Sequence, residues 1–284
     1  MSIVVTAATG ALGRLVVDEL LERVPAETVA VVVRDKDKAA DLAERGVEVR
    51  VADYGDPAAL ATAFRAGDRV LLISGNEIGR RVAQHTAVLE AAQAAGVAQL
   101  AYTGILGGPE ADFELAAEHR ATERAVLDSG IPYTFLRNGW YHENYTRDLA
   151  THLEHGAIVG SSGEGRVASA ARADYAAAAA VVLTGEGHLN QVYELSGDTA
   201  WNLAEYAAEL SAQSGKEIAY TEVPAEEHTS ILTGAGVPEG FAEIIVDVDA
   251  AIARGRLAGT SGDLARLIGR PTTPVSEAIT AALA

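Results

Sequence analysis

Gly10 and Gly13 stand three residues apart in Val4-Val5-Thr6-Ala7-Ala8-Thr9-Gly10-Ala11-Leu12-Gly13, the spacing of a phosphate-holding turn. The preceding Ser2-Ile3-Val4-Val5 reads as a buried strand, and Leu12–Arg23 reads as an amphipathic helix. Strand, tight turn and helix N-terminus make an anion site, because free backbone N–H groups and the positive end of the helix dipole point above the turn. Glycines suit such a turn by allowing close backbone approach to a pyrophosphate and close packing of helix on strand. A third glycine usually opens the motif, and here Ala7 stands in that place. A methyl there is unstrained only with φ negative. Taken alone, the turn allows any dinucleotide or phosphate.

The end of the second predicted strand narrows that choice. In dinucleotide folds an Asp or Glu about 20 residues past the glycines accepts from the ribose 2′-OH. Here Val29–Val33 runs into Arg34, followed by Asp35, Lys36, Asp37 and Lys38. An arginine grips a 2′-phosphate through two parallel N–H bonds. Two of the only three lysines fall here too, against a net charge of −18. NADP(H) is therefore expected ahead of NAD(H), which stays open as a second cofactor. The plain alternative is a solvated helix start carrying charges of both signs. Asp53, after the third strand, either accepts from the adenine amino group or caps a turn.

One constellation is missing. Many reductases of this architecture use a Tyr-x-x-x-Lys pair, in which the lysine lowers the tyrosine pKa for acid–base work. None of the nine tyrosines has that spacing, and no lysine lies between Lys38 and Lys216. The chemistry should then need a hydride donor and little general-acid help. A quinone meets that requirement, since its reduced form first appears as a phenolate-like anion with a pKa near ~10 that water can protonate. The protein has mainly to stack acceptor on nicotinamide.

The elements that must position these residues are legible as alternating strands and helices, which implies βαβ units and a parallel, doubly wound α/β sheet. The predicted strands are Ile3–Thr6, Thr28–Val33, Glu48–Ala52, Arg69–Ile73, Gln99–Thr103 and Tyr133–Arg137. Helices are expected at Leu12–Arg23, Lys36–Arg45, Asp56–Phe64, Arg80–Ala95 and Phe113–Asp128, with Gly46 and Gly96 as helix-ending glycines. After Arg137 the pattern changes: Asn138–Asn144 is polar and aromatic, Gly156–Gly165 is glycine-rich, and Asp174–Leu183 is an alanine-rich helix. Val192–Leu195 reads as a strand returning to the sheet, and Leu203–Ser214 and Asp249–Leu257 as helices, with one more short helix near the end. The expected division is a dinucleotide-binding domain over 1–137, to which 192–196 returns, and a smaller substrate-binding cap over 138–284.

Composition excludes several classes. A chain of 284 residues with 49% hydrophobic and 22% charged residues is an ordinary globular protein. A charge of −18 argues against nucleic acid and anionic membrane as partners. The absence of cysteine removes disulfides, thiolate metal sites and a cysteine nucleophile. No apolar run reaches ~18 residues and the chain starts directly in a strand, so the cytoplasm is the expected location.

With these residues in view, the chain resembles the NmrA-like atypical short-chain dehydrogenases, and within them the bacterial NAD(P)H:quinone oxidoreductases of type 2. The likeness spans essentially the whole chain. It rests on Thr6–Gly13, Val33-Arg34, Ala52–Asp56, Leu71–Ser74, Ala101-Tyr102-Thr103, Leu136–Tyr141, Ala173–Ala176 and Val192–Leu195. The resemblance implies that the turn Ala7, Ala8, Thr9, Gly10, Ala11, Leu12 and Gly13 holds the phosphates, and that Arg34 meets the 2′-phosphate. It implies that Ser74, Gly75 and Asn76 flank the ribose. It also implies a nicotinamide and quinone pocket lined by Asn138, Gly139, Trp140, Tyr141, His142 and Glu143, closed by Ala170, Ala171, Arg172, Ala173 and Asp174. Members act on simple quinones without flavin or metal, and relatives include cofactor-sensing regulators; a homodimer is left open.

Three readings therefore stand side by side: an NADPH-dependent quinone reductase, an NADP-sensing module without turnover, and a reductase of another planar electrophile such as an enone. Asn138 or Tyr141 is expected to donate to a quinone oxygen, and Trp140 to stack on a ring or pack structurally. His142 is expected as proton donor or as a surface histidine. His119 and Glu123, at i and i+4, read as a helix-face contact or an acid–base relay. His152 and His155 lack a further ligand, so no metal is expected.

Overall fold

The computed structural model describes residues 1–284. The first part of the chain forms β1 (Ile3–Thr6), α1 (Ala11–Leu21), β2 (Val29–Val33), α2 (Ala40–Glu44), β3 (Glu48–Val51) and α3 (Pro57–Leu60). It continues through β4 (Arg69–Leu72), α4 (Arg81–Ala95), β5 (Gln99–Ile105), α5 (Glu114–Ser129) and β6 (Tyr133–Asn138). Then come α6 (Glu143–Thr146), α7 (Leu149–His155), β7 (Ala157–Gly160), α8 (Arg172–Thr184), β8 (Gln191–Leu195) and α9 (Leu203–Ser214). The chain ends with β9 (Ala219–Glu222), α10 (Ala225–Gly234), α11 (Glu239–Ala253), α12 (Asp263–Ile268) and α13 (Val275–Leu283).

Seven strands form a Rossmann-like sheet in the order β3-β2-β1-β4-β5-β6-β8, with parallel registers from β3 through β6. All five residues of β2 and all seven of β5 are buried. That explains the unbroken apolar run of β2, since helices cover both faces of a parallel sheet; the buried polar residues of β5, Gln99 and Thr103, are hydrogen-bonded to Thr134 and to the Ser74 N–H. On one face Val4, Val32, Val70, Leu72, Leu100 and Tyr102 pack with Leu60, Val88, Leu89 and Val126 from the helices. The order reverses between β2-β1 and β4-β5, so β1 and β4 diverge into helices on opposite sides and leave a crevice at their carboxyl ends. Thr6 ties those two ends together: its hydroxyl donates to the Leu71 carbonyl (3.0 Å) and accepts from the Ile73 N–H (3.0 Å).

Two compact units share the chain. The first comprises Met1–Pro109, Glu118–Asn138 and Ala173–Glu194; the second comprises Glu110–Ala117, Gly139–Arg172 and Leu195–Ala284. Beyond the expected 1–137 and its returning strand, the first unit thus also takes Asn138 and most of α8, and it yields 110–117. The second unit contains a two-stranded parallel sheet, β7 with β9, that the glycine-rich sequence did not announce. Several helices differ from expectation: α6, α7 and α10 were not foreseen, α2 is α-helical only from Ala40, and two helices, α12 and α13, stand where one was expected near the end. The one begun at Asp56 keeps α-form only to Leu60 and then tightens, with Ala63 N–H bonded to the Leu60 carbonyl (3.0 Å). And α11 begins at Glu239, behind Pro238, ten residues before the expected start.

Candidate functional site

The crevice at the ends of β1 and β4 is a cavity of about 410 Å³ within the first unit. It is lined by Ala7, the Thr9–Gly13 turn, Arg34, Lys38, Asp53 and Ser74–Asn76, and by Tyr54, Glu77 and Gln84, which had not been singled out as ligands. Ala8 is the exception in the turn, since it is fully buried and does not line the cavity.

The turn itself is shaped by close approach. Gly10 is the N-cap of α1 and offers no side-chain cap, so the first-turn N–H groups face the crevice. Its own N–H donates to the Ala7 carbonyl (3.0 Å). A Cβ on Gly13 would lie 2.5 Å from the Ala7 oxygen and 2.7 Å from Ala8 Cα, so only glycine lets α1 sit this close to the strand end. At Ala7 φ is +49°, in the left-handed region, so the condition for an unstrained methyl is not met. The turn keeps the glycine conformation and strains the alanine to do so.

Arg34 extends from the end of β2 beside the cavity, with its Nε 3.9 Å from Asp53 and one terminal nitrogen 3.3 Å from Glu77. Lys38 lies on the same wall. Asp53 caps a turn through Oδ1, which accepts from the Gly55 N–H (2.7 Å), and it also lines the cavity. Tyr54 closes the base through bonds to the Thr6 hydroxyl and the Ile73 carbonyl, and burial pushes its phenol well above the usual range.

The Ser74–Gly79 loop is gripped by a polar network under it. Gly75 donates its N–H to His85 Nε2 (3.0 Å), and its carbonyl accepts from Arg81 Nε (2.7 Å). His85 must then carry its proton on Nδ1, which donates to Thr122 Oγ1 (3.0 Å), and that hydroxyl donates to the Glu118 carbonyl (2.9 Å). Burial, assisted by the Arg81 charge, pulls the His85 ring down to about 3, which keeps it neutral as this relay requires. Glu118 also accepts from the Gly79 N–H (3.0 Å).

The residues expected around the acceptor fall outside this cavity. Asn138 ends β6, buried, its carbonyl accepting from the Leu106 N–H (2.9 Å). In the second unit, Gly139–Glu143 and Ala170–Arg172 do come together. Ala170 bonds both the Trp140 carbonyl (3.0 Å) and the His142 N–H (3.0 Å), and Glu143 accepts from the Arg172 N–H (2.9 Å). Arg172 lies 4.7 Å from the centre of the Tyr141 ring. Ala173 and Asp174 belong to the first unit, and Asp174 is fully buried. His142 needs correction: it is 1% exposed, bonded by Nδ1 to Ser169 Oγ (2.8 Å) and by Nε2 to the Thr273 carbonyl (2.9 Å). Both ring nitrogens are committed to packing the second unit, so it is neither a surface histidine nor a free proton donor. The His119–Glu123 pair also separates. Tyr102 hydroxyl meets His119 Nδ1 (2.7 Å), while Glu123 grips Arg137 with both oxygens (2.9 and 2.8 Å).

A parallel sheet with a glycine-cradled helix start at its switch point, and a cation at the end of the next strand, defines a Rossmann-type nucleotide-binding protein. The chain belongs to the NAD(P)H-binding family, whose profile matches residues 7–186. It is 47% identical to quinone oxidoreductase 2 of Escherichia coli, over 98% of this chain and 97% of that one. Its fold is similar to the crystal structure of the NADPH-dependent quinone oxidoreductase of Escherichia coli complexed with NADPH, with a TM-score of 0.97 and 46% identity over 99% of this chain and all of that one. It is also similar to the Citrobacter triphenylmethane reductase complexed with NADP(H), with a TM-score of 0.95 and 44% identity over 99% of this chain and 100% of that one. The likeness read from Thr6–Gly13 and Leu136–Tyr141 is borne out.

Proposed function

We propose that this protein is an NADPH-dependent quinone reductase. The observation that carries the cofactor half is the cradle at Gly13, where any side chain would strike the Ala7 backbone, next to an uncapped helix start. That cradle fits a pyrophosphate, and Arg34 and Lys38 fit a 2′-phosphate. The near-full-length identity to a quinone oxidoreductase supports the acceptor half.

When bound, NADPH supplies the hydride. The chain's own residues bind and orient. The first-turn amides of α1 hold phosphate oxygens, Arg34 and Lys38 take the 2′-phosphate, and Ser74–Asn76 flank a ribose. Either Asn138 or Tyr141 is assigned to hydrogen-bond a quinone oxygen, on the strength of the likeness at Leu136–Tyr141. The lack of a Tyr-x-x-x-Lys pair fits an acceptor whose reduced anion takes its proton from water.

The test mixes the protein with NADPH and a panel of benzoquinones and naphthoquinones and follows the absorbance of the reduced cofactor. Turnover above the uncatalysed rate is expected. NADPH binding without turnover would leave a cofactor sensor in its place. Faster turnover of an enone or a triphenylmethane dye than of any quinone would move the assignment to another planar electrophile.

A further inference from the structure

The cation that favours NADPH is already neutralised. Arg34 lies between two carboxylates, Asp53 at its Nε (3.9 Å) and Glu77 at a terminal nitrogen (3.3 Å). Glu77 is not a loose surface partner, because its second oxygen accepts from Arg80 (3.0 Å) and from the Gln84 amide (3.1 Å). Gln84 is itself buried in the cavity wall. The carboxylate therefore stays aimed across the cavity at Arg34, from the β4 side to the β2 side.

We propose that Glu77 is a specificity-determining residue, an internal counter-ion that opposes the 2′-phosphate at Arg34 and so narrows the preference for NADPH over NADH. The inference rests on the reading that this cavity takes NADP(H). Its physics is a difference between two ligands. A phosphate that uses the arginine fork must displace the carboxylate or sit beside it, and like charges at that range repel. A ribose 2′-OH is instead a neutral donor, for which a carboxylate is a good acceptor. One fixed charge thus weakens NADPH and leaves NADH unharmed. The effect is modest because the pair is partly exposed and screened by salt.

The experiment titrates NADPH and NADH separately into the wild type, Glu77→Gln and Glu77→Ala, following nucleotide fluorescence, with thermal unfolding run alongside. Both variants should raise the NADPH-over-NADH affinity ratio by about three- to tenfold at low salt, with the gain shrinking at high salt. NADH affinity should move less than about twofold. An unchanged ratio would make Glu77 a bystander, and a lower ratio would make it a residue that orients Arg34 for the phosphate; either result overturns the proposal. If Glu77→Gln unfolds, Glu77→Ala carries the comparison. Wild-type protein that binds neither nucleotide would overturn the cofactor reading itself, a failure distinct from an unshifted ratio.

Discussion

Ala7 is the residue at which sequence and conformation disagree. The motif position asks for glycine, the chain supplies alanine, and the backbone still adopts φ +49°. A non-glycine residue in the left-handed region costs roughly 1–2 kcal/mol, partly offset because alanine restricts the unfolded chain by ~0.4–1 kcal/mol relative to glycine. Ala7→Gly should therefore stabilise the protein by about 0.5–1 kcal/mol, a rise of roughly 1–4 °C in Tm for a chain of this size. Thermal unfolding of the two proteins side by side measures it; an unchanged or lower Tm would mean the turn holds no strain. The misfit at Ala7 was visible in the sequence, but not which side would yield. The carbonyl contacts with Gly10 and the packing of Gly13 decided that, and they are tertiary. His142 was misread for the same reason, since its two partners, Ser169 and Thr273, lie 27 and 131 residues away.

Elements were more legible than contacts. Six strands were readable because their β-branched and apolar residues recur between helical stretches in one covered sheet, whereas β7 and β9 are partly exposed and pair only with each other. The support beneath the Ser74–Gly79 loop was also hidden, because it joins α4 to α5 through side chains that look like ordinary helix polar positions. This joint makes stability depend on acidity. Burial holds His85 down to about 3, and burial with Arg81 and His85 does the same for His119. A base whose folded pKa lies below its unfolded value of ~6.5 takes up its proton only in the unfolded chain. The stabilising neutral form is complete above ~6.5, and stability falls as pH drops from there toward 3. Each ring contributes a slope approaching about 1.4 kcal/mol per pH unit within that window. Urea midpoints measured from pH 7.5 to 4.5 should show the decline, and His85→Leu should flatten it while lowering the plateau by about 1–3 kcal/mol for the orphaned Gly75 N–H. A parallel pH profile in the variant would exclude His85 as a contributor.

At the scale of the whole molecule, the sheet of the first unit assigns different work to its two ends. The carboxyl ends carry the cavity and its exposed cations. At the opposite end, Asp68, just before β4, is 1% exposed and collects three donors. Its Oδ1 accepts from the Ser2 N–H (2.9 Å), and Oδ2 from Arg50 (2.9 Å) and from the Arg65 N–H (3.0 Å). Arg50 also bonds Glu48, whose carboxyl it pulls down to about 2 with help from Arg65. One carboxylate thus joins the start of β1, the strand β3 and the turn into β4. Removing one partner of a buried pair leaves the other charge uncompensated, at a cost of roughly 3–5 kcal/mol, whereas an exposed pair such as Arg34–Glu77 is worth at most about 1. Asp68→Ala should therefore lower the urea midpoint steeply, because Arg50 is buried and keeps only Glu48 and the Ala63 carbonyl as partners. The same variant should keep kcat and the KM for NADPH near wild-type values per folded molecule below its melting temperature, since Asp68 lies at the end of the strands away from the cavity. A raised KM for NADPH in folded Asp68→Ala would show that the two ends of the sheet are coupled, and the division of labour between them would fail.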